Sequence, residues 1–396
     1  MSRPLSSPDT GNSHIPDDAS GKHAQQQHRT RTMPVTRVRH GRTKRVGPFS
    51  PPEDAARAAS LQHITDEKPG ISRKPKGDGF SYVDAHGKTV RGADTLMRIK
   101  SLAIPPAWTD VWISANANGH LQATGRDARN RKQYRYHPQW RSVRDETKYG
   151  RAILFGESLG SIRKQVNKDL ENDGLSRERV LATIVRLLEL TFIRVGNTEY
   201  ARNNKSFGLT TLLDRHVQIA GANIAFRFRG KSGKFHEIHL TDKRLAMLVK
   251  RCRDVPGQDL FQYLDANGTR HVVRSTDVNE YLRTISDNEF TAKDFRTWAG
   301  TLLAASALLE AQEPGEKLTK AATLRAVEVV ASQLGNTPTV CRKCYIHPAI
   351  LKSFEDQKLL GLFVKESTSK RREIGLTKEE SALLRFLKHK DVIAVA

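Results

Sequence analysis

The stretch LGNTPTVCRKCYIHP, Leu334 to Pro348, offers two chemistries in fifteen residues. Cys341 and Cys344 stand two residues apart with His347 three further on, a spacing that suggests a metal. Tyr345 sits among Arg342, Lys343 and His347, which leaves open which of these residues is the point of the segment. A structural zinc needs four ligands, usually as two well-spaced pairs. This segment supplies three at most, and Cys252 lies far away in the chain. A redox CxxC normally follows a strand in a βαβ unit, and no such pattern precedes it. The cysteines therefore read as ordinary reduced thiols, with no metal and no cofactor expected. The tyrosine reads differently once the rest of the chain is laid beside it.

Charge narrows the partner. The 396 residues carry 66 Lys+Arg against 43 Asp+Glu, a formal net of +23. Such an excess predicts a polyanion, and nucleic acid ranks ahead of anionic lipid because no amphipathic anchor or lipidation motif appears. No run of about 18 apolar residues occurs, so no membrane span is expected. The opening MSRPLSSPDTGNSHIPDD lacks an apolar core and is not expected to be a secretory signal. Three cysteines give an odd count and no disulfide framework, which fits a reducing cytoplasm.

Three parts are predicted. Residues 1–60 are rich in Ser, Pro, Gln, His and Arg without periodic apolar positions, and read as a disordered basic arm. Residues 61–149 are short and punctuated, a small β domain. GFSYVDAHGKTVRG reads as strand, turn and strand around Ala85-His86-Gly87, and VWISANANGHLQATGRD as a hairpin turning at Asn116 to Gly119. The domain ends in RNRKQYRYHPQW, where Tyr134 and Tyr136 alternate with Arg131, Lys132 and Arg135. On a strand the two tyrosines share one face, and aromatic rings among cations suit a nucleic-acid surface.

From 150 to 396 the pattern is mainly helical. Val180, Ile184, Leu187 and Leu188 form one stripe behind a Ser176 cap. HVQIAGANIAFRFRGKSGKFHEIHL reads as three short strands turning at Gly221 and at Gly230-Lys231-Ser232-Gly233. Helical periodicity resumes at 277–286, 293–311, 317–333 and 377–389. The fold class expected is α+β, a small mainly β domain followed by a larger mainly α domain with a short sheet.

Four segments then line up with the tyrosine. TFIRVGNTEYARNN places Arg194 near a turn, FRGKSGKFHEIHL places Lys231 on a hairpin tip, and FTAKDFRTWAG places Arg296 at the start of an apolar helix. LGNTPTVCRKCYIHP adds Asn336 and Tyr345. In order and local wording these resemble the catalytic domain of type IB DNA topoisomerases, in their short bacterial and poxvirus branch, and RDARNRKQYRYH is similar to that branch too. The resemblance runs from about 61 to the C-terminus and implies the DNA breaking-rejoining fold. It implies the two catalytic arginines at Arg194 and Arg296, the catalytic lysine at Lys231 and the nucleophile at Tyr345. The position nine before the tyrosine is histidine in viral and eukaryotic enzymes and Asn336 here. That exchange removes a proton-transfer group but keeps a hydrogen-bond donor. The implied activity is relaxation of supercoiled duplex DNA through a 3′-phosphotyrosine, without ATP or metal, by a monomeric clamp at the nucleoid. Arg342 and Lys343 are expected to contact DNA.

The chemistry is consistent with those roles. A phenol, with a pKa of about 10, can attack a phosphodiester and leave again, so resealing needs no external energy. Guanidinium forks match phosphate oxygens, preorganised charge is usually the largest catalytic effect, and a lysine can protonate the departing 5′-oxygen. Two rivals differ at identifiable places. Tyrosine recombinases carry a histidine three residues before the second arginine, where this chain has Lys293, and they open with a helical domain instead of strands. An architectural DNA-binding protein needs no ordered Arg–Lys–Arg–Tyr set.

Overall fold

In the computed structural model, which describes residues 47–311, 319–353 and 355–393, the first element is the helix α1, Pro52–Ala58. Proline at its start has no N–H to leave unpaired, and Glu53 and Asp54 face the positive end of the helix. Ala55 and Ala56 pack against Leu61 and Trp140. Residues 52–58 therefore do not belong to the disordered arm expected over 1–60. Residues 1–46 of that arm lie outside those described.

An antiparallel sheet follows. Its strands are β1 (Ile71–Lys76), β2 (Gly79–Val83), β3 (Thr109–Ile113), β4 (Leu121–Arg126) and β5 (Lys132–Tyr136), in the order β2-β1-β3-β4-β5, with helix α2 (Ala93–Ser101) between β2 and β3. The Asn116–Gly119 turn joins β3 to β4 as the sequence predicts. Around Ala85-His86-Gly87 the first strand, β2, and the turn form as expected, but the return strand is cut down to a Val83–Thr89 bridge, with Asp84 N donating to Lys88 O and Val90 N to Tyr82 O, both at 2.9 Å. A full hairpin lies one step earlier, between β1 and β2, where Gly77 adopts φ 54°, a left-handed value that costs glycine little. Ile71, Val111, Ile113 and Ala123 of the sheet close on Ile99 of α2.

Strand β5 runs straight into α3, Pro138–Asp169, a helix of 32 residues and about 48 Å in length. The mainly helical part thus begins at Pro138, ahead of the 150 expected from the pattern. His137 caps it by accepting from Gln139 N at 3.3 Å. Trp140 of α3 packs on α1, while Phe155, Leu159, Ile162 and Val166 enter the main core. One helix is therefore shared by both parts of the chain.

The remaining elements surround that core. They are α4 (Arg177–Thr191), α5 (Thr198–Asn204), the sheet β6 (Val217–Ala220), β7 (Asn223–Arg229) and β8 (Phe235–Thr241), α6 (Lys243–Arg253), and a small hairpin of β9 (Gln262–Leu264) and β10 (Arg270–Val272). Then come α7 (Ser275–Ser286), α8 (Ala292–Glu310), α9 (Lys320–Leu334), α10 (Pro338–Cys344), α11 (Pro348–Ser353), α12 (Gln357–Thr368), α13 (Lys378–Lys388) and α14 (Lys390–Ile393). Ser176 Oγ caps α4 by accepting from Arg179 N at 3.4 Å, and Val180, Ile184, Leu187 and Leu188 are all buried. The three strands expected over 216–240 pair in the order β6-β7-β8. The chain is α+β, as the patterning predicts.

Two buried histidines make this fold acid-sensitive. Burial, and then the neighbouring His63, push His120 down to about 4. Burial pushes His347 down to about 3. An unfolded imidazole titrates near 6.5, so between that value and about 4 the unfolded chain binds more protons than the native one. Stability is complete above the unfolded value and is lost as the pH falls through this window. His120→Gln is predicted to flatten the decline of the urea midpoint between pH 6.5 and 4. An unchanged slope in that variant would remove His120 from the acid response.

Candidate active site

Arg194 lies in the loop after α4. The helix stops at Thr191, Phe192 takes a left-handed φ of 55°, and the chain turns sharply. A neighbouring loop holds this turn: Leu209 N donates to Arg194 O at 2.9 Å and Thr210 N to Val195 O at 2.7 Å. The approach is so close that a Cβ on Gly208 would sit 2.5 Å from Arg194 O, so only glycine fits there.

Arg296 is placed by the start of α8. Thr291 N and Oγ1 donate to Asp294 Oδ2, at 2.8 and 3.0 Å. Arg151 of α3 grips the same carboxylate in two bonds, Nε to Oδ1 and Nη2 to Oδ2, both 2.7 Å. Two residues on, Arg296 is only 4% exposed. Its Nη1 donates to Phe192 O and its Nη2 to Leu334 O at 2.7 Å. Phe192 closes α4 and Leu334 ends α9, so the cation rests on the negative ends of two helices. Arg296 Nε is buried with no acceptor among the described residues.

The segment from Leu334 to Tyr345 is a helix stop followed at once by a helix start. Gly335, at φ 60°, lets Gly335 N reach Ser332 O at 3.1 Å and Asn336 N reach Ala331 O at 3.0 Å. Thr337 then caps α10 through Val340 N, and Pro338 occupies its first turn. Tyr345 closes α10, with its N–H donated to Cys341 O at 2.9 Å and its carbonyl accepting from Thr301 Oγ1 at 3.2 Å. The Arg296 guanidinium lies 5.1 Å from the Tyr345 ring centroid. Arg194 donates to Asn336 Oδ1. Burial, and then the charge of Arg296, hold the Arg194 guanidinium below its ordinary range, while Tyr345 acts in the opposite direction. Neither arginine has a carboxylate partner among the described residues.

The structure thus brings Arg194, Arg296, Asn336 and Tyr345 together. Lys231 stands apart on the exposed tip between β7 and β8, and no hydrogen bond or ion pair ties it to another described residue. Its neighbour Lys234 instead reaches Asn336 O at 3.3 Å. Asn336 spends its oxygen on Arg194, and its Nδ2 is buried beside the Cys341 thiol. Arg342 and Lys343 are exposed on α10. The Cys341–Cys344–His347 set does not converge. Cys341 is buried, Cys344 exposed, and His347 Nδ1 accepts from Ala349 N at 3.2 Å at the start of α11. Among the described residues no group of three or more His, Cys, Asp or Glu could hold a metal ion. On β5, Tyr134 and Tyr136 do share a face, their rings stacked at 5.9 Å. Arg131 is paired with Asp127 at 2.7 Å and Lys132 with Asp66 at 2.6 Å.

Sequence reasoning missed three contributors. Arg151 and Thr301 act only through three-dimensional contacts and carry no local signature. His236 faces Arg194, Arg296 and Lys234. The strand alternation of FHEIHL, which turns 236, 238 and 240 to the less exposed face, could have singled it out.

Comparison with known proteins covers most of the chain. Residues 137–368 match the family model for the catalytic core of eukaryotic DNA topoisomerase I. Residues 79–127 match that for the N-terminal domain of bacterial DNA topoisomerase IB. A DNA topoisomerase 1B of Acanthamoeba polyphaga mimivirus is 32% identical over 295 residues, spanning 72% of this chain and 88% of that protein. The DNA topoisomerase 1B of Vaccinia virus (strain Copenhagen) is 25% identical over 278 residues, spanning 67% and 84%.

Close packing between α8 and the tyrosine is itself testable. A Cβ on Gly300 would lie 2.9 Å from Tyr345 O and 3.0 Å from Tyr345 Cβ. In a mid-helix position Gly→Ala ordinarily stabilises by about 1 kcal/mol. At Gly300 the sign is predicted to reverse, with a loss of about 1–3 kcal/mol from overpacking. Urea unfolding of Gly300→Ala measures this, and a gain in stability would show that the contact has slack.

Proposed function

The chain belongs to the type IB DNA topoisomerases, a family of DNA-binding enzymes, and from that membership we propose how this sequence performs the reaction. Tyr345 is the nucleophile. Its oxygen attacks the scissile phosphorus, the bond from phosphorus to the 5′-oxygen breaks, and the 3′ end is held as a phosphotyrosine. The phenol proton leaves to water, and the departing 5′-oxygen takes a proton from Lys231. The reverse steps reseal the strand after rotation, so torque alone drives relaxation in either direction. No net bond energy is spent, which is why ATP is not required.

The observation that carries this reading is the pair of arginines beside Tyr345 without a carboxylate between them. Arg151, Arg163 and Arg385 are neutralised, by Asp294, by Glu189 with Glu380, and by Glu366, while Arg73, Arg98 and Arg179 are held by carbonyl and amide oxygens. Arg194 and Arg296 also lack a carboxylate, and what sets them apart is that their charges act on each other and on Tyr345. Two adjacent cations half or wholly out of water favour an anion with several oxygens, and a phosphodiester approaching its transition state gains charge there. Burial also leaves Arg296 Nε as an unsatisfied donor, at a cost of about 1–3 kcal/mol that a phosphate oxygen relieves. Asn336 serves as a positioning residue, aiming Arg194 through its side-chain oxygen.

Lys231 suits the acid because it is free. It stands on an exposed turn, so it can follow the leaving oxygen without first breaking an ion pair. The exposed Arg342 and Lys343 on α10 and the stacked Tyr134 and Tyr136 on β5 supply duplex contacts. Arg131 and Lys132 do so by exchanging Asp127 and Asp66 for phosphate. The two parts of the chain close on duplex DNA as a monomeric clamp, and the enzyme works in the cytoplasm at the nucleoid.

Plasmid relaxation tests the whole reading. The wild-type protein is expected to relax both positive and negative supercoils with EDTA present and ATP absent, while Tyr345→Phe binds DNA but forms no covalent adduct. A covalent adduct in Tyr345→Phe would place the nucleophile elsewhere. Lys231→Ala is expected to slow cleavage about 10²- to 10⁴-fold. A 5′-sulfur leaving group, which needs no proton, should restore much of that rate. No relative gain with the sulfur substrate would take the acid role from Lys231.

A further inference from the structure

His236 is admitted to the centre of the site by two glycines. It lies on β8 opposite Phe228 of β7, with the rings stacked at 5.2 Å and 16°. A Cβ on Gly230 would meet its Cδ2 at 2.5 Å and its Nε2 at 2.6 Å. A Cβ on Gly335 would meet its Cε1 at 2.4 Å. Gly230 directly precedes Lys231, and Gly335 directly precedes Asn336. The imidazole is therefore wedged between the two backbone turns that carry the expected lysine and asparagine. It lines one small cleft with Arg194, Gly230, Arg296 and Leu334.

Packing alone does not account for an imidazole at this point. A phenyl or leucine side chain would fill the wedge without bringing two polar nitrogens. Neither nitrogen makes a hydrogen bond to another described residue, although the ring is half-buried. Burial, followed by the charges of Arg194, Arg296 and Lys234, holds the imidazole below its ordinary range. A neutral imidazole keeps one N–H as a donor and adds no further positive charge to the cluster. Asn336, the residue expected to donate to the phosphate, has its oxygen on Arg194 and its Nδ2 enclosed against Cys341. Among the neutral side chains that line this cleft with the two arginines, His236 holds a ring N–H that is not spent on another described residue.

We propose that His236 is a further catalytic residue, whose imidazole N–H binds a non-bridging oxygen of the scissile phosphate. This rests on the phosphotyrosine reading above, and the experiment separates the two. Wild type, Tyr345→Phe and His236→Phe are compared in single-turnover cleavage of a suicide duplex at saturating enzyme. Failure of wild type to form any adduct would overturn the underlying reading, not the assignment of one donor. With adduct formed by wild type, His236→Phe keeps the stacked ring and loses the N–H. It is expected to bind the duplex as wild type does and to cleave about 10²-fold more slowly, the usual loss of one oxyanion donor.

A stereospecific substrate excludes a merely structural effect. Replacing one or the other non-bridging oxygen by methyl gives two methylphosphonate isomers. In the isomer lacking the oxygen held by His236, wild type and His236→Phe are expected to cleave at equal rates, and in the other the gap persists. A gap of the same size in both isomers, or a His236→Phe rate within about two-fold of wild type on the phosphodiester, overturns the proposal. Should the phenyl variant not fold, the isosteric pair His236→Asn and His236→Leu carries the same test. The asparagine variant is then the faster, and equal rates overturn the assignment.

Discussion

Arg296 is a permanent cation at 4% exposure, and much of the catalytic region is arranged around keeping it there. A charge removed from water is tolerated only when acceptors replace its hydration. This molecule supplies them from the backbone instead of from a carboxylate: the carbonyl of Phe192 at the end of α4 and that of Leu334 at the end of α9. Both are carbonyls that helix ends leave without an intrahelical partner. One side chain on α8 thus ties the C-termini of two other helices to its own N-terminus. The turn after α4 carries Arg194, and the turn after α9 carries Asn336 and leads into α10 and Tyr345. The buried cation and the other three side chains of the site are one constraint.

Backbone acceptors have a chemical consequence. A carboxylate would have stabilised the buried guanidinium more strongly, but it would also have cancelled the field that a phosphate must meet. Helix-terminal carbonyls hold the cation in place with only partial negative charge. The positive potential of Arg296 and Arg194 therefore survives at the Tyr345 ring, 5.1 Å from the Arg296 guanidinium. Arg151, Arg163 and Arg385, each paired with a carboxylate, show the opposite arrangement. Carboxylates near the site do appear, but they act at one remove: Asp294 sets the start of α8 and is itself held by Arg151.

The sequence carried more of the site than of the small lobe. Tyr345, Arg194 and Arg296 were singled out by resemblance to a family, and the structure sets each beside a helix terminus whose stop or start is written locally: Phe192 to Asn197, Thr291 to Asp294, Gly335 to Pro338. The stripe of Val180, Ile184, Leu187 and Leu188 and the Ser176 cap were legible because they too are written locally. Helix α1 was not, because its burial depends on Trp140, far along the chain. The turn at Ala85-His86-Gly87 exists, since Asp84 accepts from His86 N and Lys88 N, but the residues beyond it pair with β2 only through the Val83–Thr89 bridge and the bond from Val90 N to Tyr82 O. Edge pairing is a property of the sheet, and local turn chemistry cannot reveal it. Lys231 was placed on its tip from sequence, whereas the importance of His236 emerged only when Gly230 and Gly335 were seen on either side of it.

The central claim is that this charge cluster delivers a scissile phosphate to Tyr345, and peptide mapping of the trapped complex addresses it directly. A nicked duplex that loses its 5′ fragment on cleavage is incubated with the full-length protein, digested with protease and nuclease, and analysed by tandem mass spectrometry. The account predicts one modified peptide, with a nucleotide joined through its 3′-phosphate to the Tyr345 side chain. A nucleotide on any other residue, or one joined through a 5′-phosphate, would contradict it.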